Sequence, residues 1–175
     1  EYYGETRQLA FHLMENSNAD KEVSGMKRLN YKQIVSALIS ETRIFQELWG
    51  MEKISHDRVV RELNKMKIFE KNINLQEECS RSRLAVLLMR LFATENEKNS
   101  FIRRCENYKT RNRSPIGDVN FDHPNFVPII FAVERNFIQL RDGENFFPDE
   151  AIGGFEFNDT LKRLGNVKIT PELIQ

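Results

Sequence analysis

The chain has 175 residues, 40% apolar and 30% charged, enough hydrophobic material to close one core, which excludes wholesale disorder. Twenty-six basic residues balance twenty-six acidic ones, which excludes a chain that coats nucleic acid or membrane by net charge. No apolar run is long enough to span a bilayer, and a first residue that is Glu1 rather than Met reads as a piece of a larger polypeptide.

Residues 2–15 predict a short helix, with Leu9, Leu13 and Met14 at helical spacing. Residues 16–28 read as a loop. The clearest pattern follows. Asn30 with Gln33 three residues on makes a capping box, and Ile34, Val35, Leu38, Ile39, Thr42, Phe45, Leu48 and Trp49 repeat at three and four residues. One helix ending at Trp49, closed by Gly50, is expected. A further helix from Ser55 carries Asp57 in its first turn and Val59, Val60, Leu63, Met66 and Phe69 on one face.

Asn74 with Glu77 suggests a second capping box, opening a helix to Phe92 whose dense apolar stretch marks it as the most buried. Thr94 with Glu97 is a third box, followed by Phe101, Ile102, Cys105 and Tyr108 on one face. That helix cannot pass Pro115, and residues 111–125 form the one long irregular connection. Residues 126–140 favour a helix with Pro128 in its first turn over a strand. Asp142–Gly143 is a hairpin signal, Gly154–Phe157 a short strand, and Asn158–Leu164 a last helix stopped by Gly165. Residues 166–175 read as an extended tail. The sum is a mainly α fold: an irregular helical bundle of about five to seven helices in a single domain over 1–175, with at most one small β-hairpin near residues 137–147.

Two cysteines, Cys79 and Cys105, fall in segments read as helical, which points to buried reduced thiols and an intracellular setting, cytoplasmic or nuclear. His12, His56 and His123 are scattered, without metal-ligand spacing. No phosphate-binding glycine loop and no nucleophile elbow is present. Asp118, Asp122 and His123, with Asp149 and Glu150 downstream, could gather oxygens around a divalent cation or form an acid–base pair. Turn chemistry explains the same residues equally simply. Asp149, Glu156 and Lys162 are too far apart in sequence for the metal-binding strand of a nuclease. No cofactor is expected.

The zero net charge hides an asymmetry. Between residues 98 and 113 lie Lys98, Arg103, Arg104, Lys109, Arg111 and Arg113 against Glu106 alone, while residues 118–175 hold five basic and ten acidic residues. With Tyr108 among them, the cations could follow a nucleic-acid backbone, or they could be a solvated helix face that pairs with the acidic C-terminal third. The leading expectation is a non-enzymatic protein-interaction or scaffolding module. Its candidate surface residues are Trp49, which reads as a core residue or as a partly exposed aromatic anchor, and the group Arg103, Arg104, Tyr108, Lys109, Arg111 and Arg113. A protein partner or self-association is expected, and no membrane. RNA or DNA binding through 98–113 is the alternative.

One similarity spans the C-terminal third. PNFVPIIF at 124–131, NFIQLRDG at 136–143 and GGFEFNDTLKRL at 153–164 stand in the order of segments that resembles the catalytic domain of Ras-family guanine-nucleotide exchange factors. The resemblance implies a third reading, action on a small GTPase. It carries no catalytic motif of that family.

Overall fold

In the computed structural model the described residues are 27–42, 44–49, 55–65 and 73–165. The readings of 2–15, of nearly all of 16–28, of Gly50, Met66 and Phe69, and of the tail 166–175 lie outside them. Seven helices run in order among the described residues: α1 Tyr31–Glu41, α2 Ile44–Trp49, α3 His56–Lys65, α4 Arg81–Phe92, α5 Glu95–Thr110, α6 Phe126–Glu134 and α7 Gly154–Leu164. The fold is mainly helical, as the periodicity predicts. None of these helices is long and apolar enough to cross a membrane. The described residues divide into two compact units, those within 27–79 with 151–165, and 80–150.

In the first unit α1 opens with the expected box. The Asn30 side chain accepts from the Gln33 N–H at 2.9 Å, and the Gln33 side chain accepts from the Asn30 N–H at 3.0 Å. Ile34, Val35 and Leu38 form its buried stripe, and α3 packs there through Val59 and Leu63. The single helix expected to Trp49 is broken at Thr42, whose backbone is extended. The Thr42 hydroxyl donates back to the Leu38 carbonyl and accepts from the Ile44 N–H, so one side chain ends α1 and starts α2. Apolar spacing cannot report this break, because Ile44 and Phe45 are buried on both readings.

Residues 74–80 are not helical, which corrects the box placed at Asn74. Its carboxamide accepts from the Gln76 N–H at 3.0 Å and its carbonyl from the Glu77 N–H at 3.0 Å, a local turn. The chain then runs extended beside residues 28–30, with antiparallel bridges Asn30–Glu78 and Arg28–Gly153. Three buried residues close a ring there. Cys79 donates its N–H to Leu29 (2.9 Å), Leu29 to Ile152 (3.0 Å), and Ile152 to Cys79 (2.9 Å). The strand expected at Gly154–Phe157 is instead the first turn of α7. Phe157, Thr160, Leu161 and Leu164 are buried at helical spacing, and Phe155 turns out, 46% exposed. Alternating Phe residues imitate a strand, yet the three-and-four spacing downstream decides the matter.

The second unit is built around α4, which Ser80 caps, and α6 packs against both α4 and α5. Phe101, Phe131, Phe137 and Phe92 make a chain of tilted and edge-on ring contacts with centroids 5.3–5.7 Å apart. Pro128 sits in the first turn of α6, as expected. Two helices end alike. After α5, Asn112 takes a positive φ of 50°, its N–H donating to Lys109 and that of Arg113 to Tyr108. After α6, Asn136 takes φ 57°, with matching bonds from Asn136 to Val133 and Phe137 to Ala132. Both are left-handed caps that satisfy the last carbonyls. No strand forms over 137–147 and the hairpin is absent. Gly143, at φ 84°, does turn the chain, but Asp142 rather than a ladder holds the turn: its carboxylate accepts from the Glu144 and Asn145 N–H groups and from the Asn145 side chain.

Candidate functional site

Helix α5 carries most of the residues singled out from sequence, and its register decides what they can do. Phe101 and Cys105 face the core, with Tyr108 half-buried on the same side. At about 100° per residue, Arg103, Arg104 and Lys109 therefore point in three directions and do not form one strip. Arg104 lies on the flank toward α6, where its guanidinium covers the Phe101 ring at 4.5 Å and pairs with Glu134. Lys98 pairs with Glu95 at 2.7 Å. Glu97 serves twice, capping the helix through the Thr94 N–H and pairing with Arg135. Pairing with the acidic C-terminal third is thus realised at Arg104.

Four cations remain. Arg103, Lys109, Arg111 and Arg113 are exposed and take part in no ion pair among the described residues. Lys109, Arg111 and Arg113 gather at the C-terminal end of α5, where positive charge complements the helix dipole. Ile102, expected in the core with Phe101 and Cys105, is 43% exposed and lies on the Lys109 side of the helix. A single apolar side chain beside a lysine, with three more cations close in sequence, can bind carboxylate or phosphate oxygens around one hydrophobic contact.

Tyr108 is committed elsewhere. Its ring stands edge-on to Phe126, with centroids 6.5 Å apart. Trp49 ends α2, and the surroundings of its indole lie outside the described residues. Cys105 is buried on the core face of α5. Burial, helped by the Glu134 carboxylate, pushes its thiol up to about 11, a protonated and unreactive group at neutral pH. Cys79 is buried in the other unit, and neither thiol is in a disulfide.

Of the residues considered for metal or acid–base work, Asp118, His123 and Glu150 are held in local structural contacts. The Asp118 carboxylate accepts from the Phe146 N–H at 2.7 Å and the Phe147 N–H at 2.6 Å. His123 Nδ1 accepts from the Asn125 N–H at 3.1 Å. Glu150 pairs with Arg141. Among the described residues no group of three or more His, Cys, Asp or Glu side chains is placed to hold a metal ion.

Sequence reasoning missed Arg81, a wholly buried side chain at the start of α4. Its guanidinium donates to the carbonyls of Phe146 and, at 2.8 Å, Gln139, and it lies 4.7 Å from the centre of the Phe146 ring. Burial, with Arg141 nearby, lowers its pKa to about 10. The backbone repeats the connection, since the Arg81 and Ser82 N–H groups donate to the carbonyls of Glu150 and Pro148. Arg81 and Asp118 thus pin one loop, 139–150, from two sides. The signal in the sequence was one of two arginines, Arg81 and Arg83, in the first turn of an apolar helix, which resembles any surface cation.

No protein-family model, no curated protein and no solved structure matches this chain.

Proposed function

We propose that this chain is a non-enzymatic protein-interaction module whose contact surface is the outward side of α5, and that its partner is an acidic protein segment. The observation that carries the reading is the exposed Ile102 on the Lys109 side of α5, with Lys109, Arg103, Arg111 and Arg113 all exposed and outside any ion pair among the described residues. Steering by such a set gives fast, salt-sensitive association, and the apolar contact adds affinity that salt does not screen. The two buried thiols outside any disulfide suit a reducing, intracellular setting.

Nucleic-acid binding through 98–113 is a second reading, supported by the same four cations. The position of Tyr108 weighs against it, because a ring packed on Phe126 is not a platform for a base. Fluorescence anisotropy separates the two. The probes are a labelled peptide of alternating Glu and Leu and a labelled single-stranded oligonucleotide, each at two salt concentrations. The peptide is expected to bind, roughly tenfold more weakly after Ile102→Ser and more weakly still after Arg103→Glu with Lys109→Glu. An oligonucleotide that binds more tightly than the peptide, with a steep salt dependence and no response to Ile102→Ser, would favour the second reading and reject the first.

A further inference from the structure

We infer that Ser114 is a phosphorylation site for an arginine-directed serine/threonine protein kinase, and that the phosphate opens the turn at 114–119. The sequence there is Arg111-Asn112-Arg113-Ser114-Pro115. Among the described residues Ser114 is the one hydroxyl with an arginine both three residues and one residue before it. The left-handed cap at Asn112 takes these residues out of α5, and 111–113 and Pro115 are exposed around the half-buried serine. A kinase that selects basic residues N-terminal to its acceptor does so with carboxylates. Two exposed guanidinium forks, in no ion pair among the described residues, are their complement. In the transfer, the bond from the γ-phosphorus of ATP to its bridging oxygen breaks and one to Ser114 Oγ forms. ADP leaves with the electron pair and the hydroxyl proton is released.

The hydroxyl has a structural task that a phosphate ester cannot perform. Ser114 Oγ donates toward the carbonyls of Val119 (2.5 Å) and Ile116 (2.9 Å) and accepts from the Ile116 N–H (3.2 Å). Esterification removes the donated proton and places about two negative charges against those carbonyls. Arg111 and Arg113 are the nearest cations in sequence to receive the phosphate. The strain passes along the turn, because Gly117 donates to the Glu144 carbonyl at 2.9 Å and Asp118 accepts from Phe146 and Phe147. The same charge would cancel most of the Lys109–Arg111–Arg113 cluster. That last consequence, release of an acidic partner, rests on the function proposed above; the modification and the opened turn do not.

The test treats the folded full chain with such a kinase and Mg-ATP, followed by intact-mass measurement, site mapping and hydrogen exchange. One phosphate on Ser114 is expected. It should be absent in Ser114→Ala, retained in Ser114→Thr, and added about tenfold more slowly in Arg111→Ala. Exchange should rise over 114–119 and 144–147 and stay unchanged in α4. The inference is overturned if the folded chain stays unmodified while a synthetic 109–117 peptide is phosphorylated, if Arg111→Ala reacts like the wild type, or if modification leaves exchange at 114–119 unchanged. A phosphorylated chain that still binds the Glu–Leu peptide overturns the docking consequence alone.

Discussion

Helices α4 and α5 follow one another directly, yet they are buried to very different extents. Of the twelve residues of α4, ten are buried, Arg81 and Ser82 included. Of the sixteen of α5, two are, Phe101 and Cys105. The packing around α4 fixes it from all sides. Helix α5 packs by one face only, through Phe101 and Cys105, and its ends add a reciprocal box at Thr94 and Glu97 and a left-handed cap at Asn112. A helix packed on one face and capped at both ends can leave its other faces free to meet another molecule, and a helix buried on all sides cannot.

The largest test of this contrast is a pair of truncations. Leu88→Ala in α4 is expected to cost about 3 kcal/mol through the cavity it leaves, whereas Ile102→Ala in α5 should stay within about 0.5 kcal/mol. Urea unfolding measures both, and equal losses would abolish the distinction. Next comes Arg81→Met, expected to cost about 2 kcal/mol because the Phe146 and Gln139 carbonyls lose a charged donor inside the fold. The accompanying sign is faster hydrogen exchange over 139–150. Thr94→Ala should cost about 1 kcal/mol by removing one half of the box, with helicity lost at the start of α5 and not in α4.

The smallest effect is a pH dependence in the loop that roofs the start of α4. Hydrogen bonds from the Asn145 side chain, then from the Asn145 and Glu144 N–H groups, lower Asp142 from 3.8 to about 2. A carboxyl lowered on folding contributes stability above its unfolded pKa and loses it as pH falls toward the folded one. The gap in unfolding midpoint between wild type and Asp142→Ala should therefore be constant above about pH 5 and shrink between about pH 4 and pH 2. A gap that widens on acidification would reverse the assignment.

Where a signal was local, the sequence could be read. Asn30 with Gln33 and Thr94 with Glu97 are complete within four residues, and both boxes form. Pro128 in a first turn is likewise a backbone rule. Asn74 shows the limit, because a side chain that can cap a helix can equally close a turn, and the neighbouring chain at Leu29 settles which. Thr42 breaks a helix without disturbing its apolar spacing. Asn112 and Asn136 were legible in principle as C-terminal caps, but a search confined to glycine passes over them. Within the candidate surface the charges of 98–113 were visible, while the separation of Arg104 and Lys98 from Arg103, Lys109, Arg111 and Arg113, which make no ion pair among the described residues, depended on partners such as Glu134. Asp118 and Arg81 were least legible, since both act on backbone groups near residue 146.

The ring of amide bonds joining Leu29, Cys79 and Ile152 has a consequence for how the chain is made. Its three members come from the beginning, middle and late parts of the described sequence, so the first unit cannot close until Ile152 has left the ribosome. Contacts this distant along the chain form slowly. A nascent or truncated product ending before that residue would lack both bonds made by Ile152, a form for chaperones to hold and proteases to find.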